Sequence, residues 1–444
     1  MKLKKISTTC LLFGSLAVVS FAQTETETIV LVEEELTPLQ QIEQRIEIIE
    51  TTTGTQSKLK VSGYIQTQYQ YGETDADGVK VGSGIEKQKQ ADLKGFSRFG
   101  VRRGRIKFTY TDGLVEGVFQ PDFTEKGIAF KDVYLSVKDP IWGTNSLKAG
   151  IFDRPFGHEI SYSSSRRESP ERSRIFQSLF PDERDLGAML TLQADKNSPW
   201  NILKLEAGLF AGNGIRPEID SKLDFIGHLS AKKTIGDMEI GGGVSAYLGG
   251  SYQGTNNIYV MKNDAWVLDS SNPDNIGSYA KRQYIGFDLQ FSAMTVAGLT
   301  QLRGEYIVGE HAGTVDKAYD FKPTSLPTTD TYMRKLSGGY VLLAQDLGAT
   351  PFTIVAKYDC YDPNTQISGN DIAGAGEITK STIGLGAIWR INNALKLTAY
   401  YDIVKNETTD KLPDTKDIDG KITKYGYEGD RKDNVFTLRL QYKF

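Results

Sequence analysis

Val435-Phe436-Thr437-Leu438-Arg439-Leu440-Gln441-Tyr442-Lys443-Phe444 closes the chain. Phe436, Leu438, Leu440, Tyr442 and Phe444 share one parity, and Val435, Thr437, Arg439, Gln441 and Lys443 share the other. In a pleated strand successive side chains point to opposite faces, so a period of two predicts one apolar face and one wet face.

The other end of the chain sets the compartment. Lys2, Lys4 and Lys5 precede a short apolar run from Leu11 to Phe21, and Ser20-Phe21-Ala22 supplies small residues at a cleavage site. This pattern predicts a signal peptide over residues 1–22, too short an apolar stretch to span a membrane as a helix. Its removal takes three lysines and no acid, so the formal charge falls from −4 to −7. A mildly acidic chain argues against nucleic acid as a partner. One cysteine, Cys360, remains, so a disulfide framework is excluded. Nothing after the signal resembles a run of about 18 apolar residues, which excludes a helical membrane protein. A strand that ends a secreted chain on an aromatic residue resembles the closing strand of bacterial outer-membrane barrels.

Residues 23–56 differ from the rest of the chain. After an acidic stretch, Leu39, Ile42, Ile46 and Ile49 repeat at spacings of three, four and three, with Pro38 near the start. This predicts a periplasmic extension with a short heptad helix, either a small coiled coil or a helix laid against the barrel. Residues 57–444 carry the alternating pattern. Lys60–Tyr71, Tyr284–Phe291, Thr382–Ile391 and Leu395–Ile403 each place apolar side chains on one parity. Asn392-Asn393 marks a tight turn, whereas Gly72–Ser97, Tyr252–Lys281, His311–Met333 and Asn406–Lys432 are long and polar. Short turns alternating with long loops predict an all-β fold, a transmembrane antiparallel barrel of roughly 16 strands bathed in outer-membrane lipid.

Two segments carry unusual charge. Arg98–Lys107 has five cations in ten residues and no acid. With Ile106, Phe108 and Tyr110 turned to lipid, Arg103, Arg105 and Lys107 point into the lumen, about 7 Å apart along the strand. Such a ladder attracts anions in a wet pore, unless carboxylates such as Glu116 or Asp122 answer it. Gly150–Leu186 is too long for a turn and rich in arginine and aromatics, with Arg154, Arg166 and Arg167 among its cations and acids in similar number. A barrel of this width has room for such a loop to fold inward as a constriction.

Arg102-Arg103-Gly104-Arg105-Ile106, the hairpin before Phe130-Lys131-Asp132-Val133-Tyr134-Leu135, Gly150–Gly157, the Ser/Glu-Arg loop and Arg184-Asp185-Leu186-Gly187 succeed one another along the chain. In that order, between a signal and a terminal-Phe strand, the chain resembles the phosphate-selective porin O and P family. The resemblance implies a trimeric, 16-stranded porin of the Gram-negative outer membrane. It also implies an inward third loop and an arginine-lined path for small anions such as phosphate. Arg103, Arg105 and Lys107, then Arg154, Arg166 and Arg167, are the candidate pore-lining residues. The acidic net charge and Glu305 beside Arg303 depart from a strongly basic lumen, which leaves a general, sugar or organic-acid porin as an alternative. A plugged surface barrel, adhesive or hydrolytic, is the rival from another class. His158, His228 and His311 are too scattered to suggest a catalytic triad, and no cofactor is implied. Asp75-Ala76-Asp77-Gly78 and Asp417-Ile418-Asp419-Gly420 lack the closing acid of a calcium loop and read as turns, so no metal site is expected. Trp142, Trp200 and Trp389 fall near strand ends, where a membrane girdle sits.

Overall fold

The computed structural model describes residues 58–82, 94–317, 324–372, 374–420 and 422–444. The signal peptide and the heptad segment expected over 1–22 and 23–56 lie outside these residues. Strands β1 (Leu59–Gly72), β2 (Phe96–Asp112), β3 (Val115–Thr124), β4 (Gly127–Lys138), β5 (Ser146–Asp153), β6 (Arg184–Gln193), β7 (Leu203–Phe210), β8 (Asp224–Ile235) and β9 (Met238–Tyr252) form the first part of a continuous antiparallel wall. β10 (Asn257–Lys262) and β11 (Ala265–Ser271) make a hairpin in an outer loop. The wall resumes with β12 (Tyr279–Thr295), β13 (Gly298–Gly313), β14 (Thr331–Asp346), β15 (Phe352–Asp362), β16 (Lys380–Arg390) and β17 (Leu395–Asn406). A second outer hairpin, β18 (Thr415–Lys416) and β19 (Ile422–Lys424), precedes the last strand, β20 (Val435–Lys443). β20 pairs with both β17 and β1, from Tyr64 opposite Lys443 to Gly72 opposite Val435, so the sheet closes on itself. Leaving out the two outer hairpins, the closed barrel has 16 strands, as the alternation predicts.

Closure satisfies every interior ladder and leaves no sheet edge to lipid, which is the condition for a sheet to span a bilayer. The outward parity is apolar: Ile285, Phe287 and Leu289 on β12 and Ile383 and Leu385 on β16 are all about half exposed on the barrel exterior. The opposite parity of β12 turns Tyr284 and Asp288 inward. Turns at one end are short. Those after β2 and β8 have two residues, and Gly113 (φ 59°) and Gly236 (φ 57°) supply the left-handed backbone there. At the other end β1, β5, β9, β13, β15 and β17 are each followed by 17 or more residues before the next wall strand. Trp142, Trp200 and Trp389 are exposed at the short-turn end, as an interfacial girdle requires. The apolar belt, the closure and the turn asymmetry place the barrel in a Gram-negative outer membrane, short turns to the periplasm.

Candidate functional site

The segment 154–183 between β5 and β6 does not stay outside. It folds into the lumen and bridges opposite walls. Helix α1 (Arg174–Leu179) buries Ile175, Phe176 and Leu179. With Phe156, Ile160 and Phe180 they pack on Tyr247, Tyr284, Ile307, Leu336 and Tyr340 of the β9–β14 wall. Burying a phenylalanine side chain stabilises by about 1.5–3 kcal/mol, so this seat is the principal anchor. Gly157 (φ 64°) lets the chain turn against Glu305, whose carboxylate accepts the backbone N–H of His158 at 2.8 Å and of Glu159 at 2.6 Å. A Cβ at Gly157 would sit 2.1 Å from that carboxylate. On the far wall, Ser164 Oγ lies 2.6 Å from Tyr64 Oη on β1, and the Ser165 carbonyl accepts Gln441 of β20 at 3.0 Å.

Ion pairs complete the docking. Arg303 pairs with Glu168, Arg172 with Glu183, and Lys357 with Glu159 at 3.2 Å. Outside the membrane strands, Asp77 holds Arg174 at 3.0 Å and Lys380 at 3.1 Å. Burial alone would raise the Asp77 carboxyl, but Arg174 and Lys380 overcome it and hold it well below the usual carboxylate range. A depressed folded value means this tie is at full strength above the unfolded value and fails only as pH falls through the lowered one.

The arginines converge on the β1–β2–β20 wall. Arg102 takes Glu171 in a fork, Nε and Nη2 each at 2.9 Å from its two oxygens. Arg103 Nη2 reaches the same carboxylate at 3.1 Å and Arg439 Nη2 at 2.8 Å. Arg105 Nε donates to Asp122 at 2.9 Å, so carboxylate pairing answers this rung of the ladder. Arg167 is buried, and its Nη2 shares the Pro170 carbonyl with Arg439 Nη1, while its Nε and Nη1 have no hydrogen-bond partner among the described residues. Four guanidinium groups therefore meet two carboxylates, Glu171 and Asp122, and a fifth, that of Arg167, sits beside them on the Pro170 carbonyl.

The six expected pore residues divide accordingly. Arg103, Arg105 and Arg167 lie in this cluster. Lys107 continues the inward parity of β2, and Arg166 is exposed on the loop; among the described residues neither side chain has an ion pair. Arg154 is apart from the cluster, fully buried against Asp185 at 2.9 Å and 5.8 Å from the Phe180 ring. It staples the start of the loop rather than lining a path.

Arg102, Arg439 and Glu171 complete the cluster beyond those six residues. Arg439 was legible on the polar parity of the closing strand. Arg102 was not, because a bulge opposite Gln66 and Thr67 inserts it as an extra residue between Val101 and Arg103. His228 Nε2 lies 2.9 Å from Asp288, but no hydroxyl nucleophile bonds it among the described residues. Among those residues no three His, Cys, Asp or Glu side chains group as metal ligands. Asp75 and Asp77 instead engage Arg431, Arg174 and Lys380.

No family model and no curated protein matches the sequence. Solved structures do match in shape. An anion-selective porin from Comamonas acidovorans superposes with a TM-score of 0.50 at 12% identity, covering 87% of this chain and 99% of that one. The outer membrane channel DcaP of Acinetobacter baumannii gives the same score and identity, covering 87% and 97%. The likeness is one of fold. The chain has the porin barrel fold, and the chemistry of its lumen has to be argued from its own residues.

Proposed function

We propose that this barrel is a passive diffusion channel with a preference for small anions, phosphate among them, and that it works as a trimer. The observation that carries the reading is the excess of guanidinium groups over carboxylates where the inward loop meets β1, β2 and β20. Charge of one sign on low-dielectric walls concentrates counter-ions, and a pore lined this way favours anions without any bond being made or broken. The anion selectivity of the Comamonas porin is in keeping with it. Trimerisation and phosphate rest on the family resemblance. Carboxylates also enter the lumen at Glu159, Glu168, Glu171 and Glu305, which favours moderate selectivity and keeps a general or organic-acid porin as the second reading.

Reversal potential across a planar bilayer under a salt gradient tests this, with phosphate then titrated in. Anion selectivity with saturable block of chloride current is expected. Weak or cation selectivity without block would establish the general porin instead. Lys107 and Arg166 are the cleanest residues to change, because neither is in an ion pair among the described residues. Lys107→Glu with Arg166→Glu should move the reversal potential toward cations and leave thermal stability within about 0.5 kcal/mol per site. An unmoved potential would remove these two residues from the path.

A further inference from the structure

A second constellation adjoins the arginine cluster and shares Pro170 and Glu171 with it. Between loop residues 169–177 and the inner wall of β15, β16, β17 and β20 is a cavity of about 50 Å³. On the scale where one water needs roughly 10–15 Å³, this admits a group of a few heavy atoms. Its cations are mostly engaged: Arg172 by Glu183, Arg174 by Asp77, and Lys357 by Glu159. Lys80 is different, since among the described residues its ammonium group donates only to the Asp77 carbonyl, at 3.0 Å. Asp402, on the inward parity of β17, has no hydrogen bond or ion pair among the described residues. Beside it the Tyr400 ring is 2% exposed, yet its hydroxyl has no hydrogen-bond partner among the described residues. Asp359 and Glu171 complete the acidic side: among the described residues Asp359 is held by the Arg174 N–H at 3.3 Å and Lys357 at 3.9 Å, and Glu171 is taken by the arginines of the cluster.

An orphaned buried hydroxyl is costly unless something answers it, and the half-buried Asp402 carboxylate beside it is a second acceptor for the same donor. Lys80 lines the same cavity but does not pair with Asp402. The free groups are thus of opposite sign, which a simple anion cannot satisfy. We propose that the cavity takes the zwitterionic head of a small α-amino acid, with its ammonium group on Asp402 and the Tyr400 hydroxyl and its carboxylate on Lys80. Charge on both ends selects against acetate, which leaves Asp402 unanswered, and against methylammonium, which leaves Lys80 unanswered. The inference rests on the cavity being reachable by a small solute, and not on conduction or on the anion preference.

The test is saturation-transfer NMR on the full chain in detergent, with glycine, acetate and methylammonium as separate probes. Glycine should bind saturably and the two half-ligands about tenfold more weakly or worse, as expected when one charge-assisted hydrogen bond is lost. Asp402→Asn should weaken glycine by about tenfold and Tyr400→Phe by a smaller factor, with SDS resistance of the barrel confirming that each variant is folded. If Asp402→Asn does not fold, the comparison of the three probes and the Tyr400→Phe variant still decide. Absence of saturable glycine binding, or binding that both folded variants leave unchanged, overturns the proposal. Anion-selective conductance without glycine binding sinks this inference alone. Glycine binding without conductance supports it and sinks the channel reading.

Discussion

Replacing Glu171 with glutamine should loosen the constriction and raise anion selectivity at once. Three guanidinium groups, those of Arg102, Arg103 and Arg439, converge on this one carboxylate at 2.8–3.1 Å. Side-chain exposure is 3% for Arg103, 4% for Arg439 and 16% for Glu171, so water cannot replace the lost charge at these distances. Removing one partner of such a buried pair costs about 3–5 kcal/mol, because the cations left behind repel one another and stay poorly hydrated. The rest of the loop has other anchors. Its phenylalanines keep their seat on the β9–β14 wall, and Glu159 and Glu168 keep theirs on Lys357 and Arg303. The effect should therefore be local: the Ser164–Glu171 segment moves off the β1–β2–β20 wall while the barrel stays closed. Single-channel recording should show larger conductance than the parent, noisier current, and a reversal potential shifted further toward the anion limit. Unchanged conductance and potential in a folded Glu171→Gln channel would falsify the view that this contact holds the constriction.

How far such a contact could be foreseen differs from element to element. The wall was legible because a bilayer imposes a period of two on every strand that crosses it. The parity of Arg103, Arg105 and Lys107 follows from Phe108 and Tyr110 facing lipid, and that of Arg439 follows from Leu438 and Leu440. The aromatics of the third loop marked it as more than a linker. Their partners were not legible, since Glu171 meets an arginine 268 residues away and Glu159 a lysine 198 away. Local pattern has no information at that separation. Nor did it give β10 and β11, which lie in what reads as the long polar loop Tyr252–Lys281. No membrane enforces alternation on an outer hairpin, and this one is stabilised by pairing with β14 and by the Tyr259–Tyr332 stack at 4.6 Å. Arg102 escaped for a third reason: one bulged residue turns a side chain that parity sends to lipid back to the lumen.

Closure itself should be the most fragile step, and Gly63 is where it can be broken. The last residue is held by two backbone bonds, Gly63 N–H to the Phe444 carbonyl and Phe444 N–H to the Gly63 carbonyl, both 3.0 Å. The Phe444 ring lies over Gly63, where a Cβ would come within 2.6 Å of the ring and 2.4 Å of the Arg105 carbonyl oxygen. A side chain at 63 thus cannot be absorbed by moving the ring alone, since β2 backbone stands on the other side. Gly63→Val should separate β1 from either β2 or β20. Either gap leaves unpaired N–H and C=O groups facing hydrocarbon, at a cost of several kcal/mol per group, more than a marginally stable fold holds in reserve. We expect most of the chain to fail to reach the SDS-resistant, heat-modifiable barrel. Deleting Phe444 should act in the same direction but less strongly, because it removes two hydrogen bonds without forcing strands apart. Gly117→Val on β3 is the control, since a Cβ there meets only Leu135, at 3.5 Å. If Gly63→Val yields as much SDS-resistant barrel as Gly117→Val, the seam between the first and last strands does not govern assembly, and the terminal aromatic has some role other than locking it.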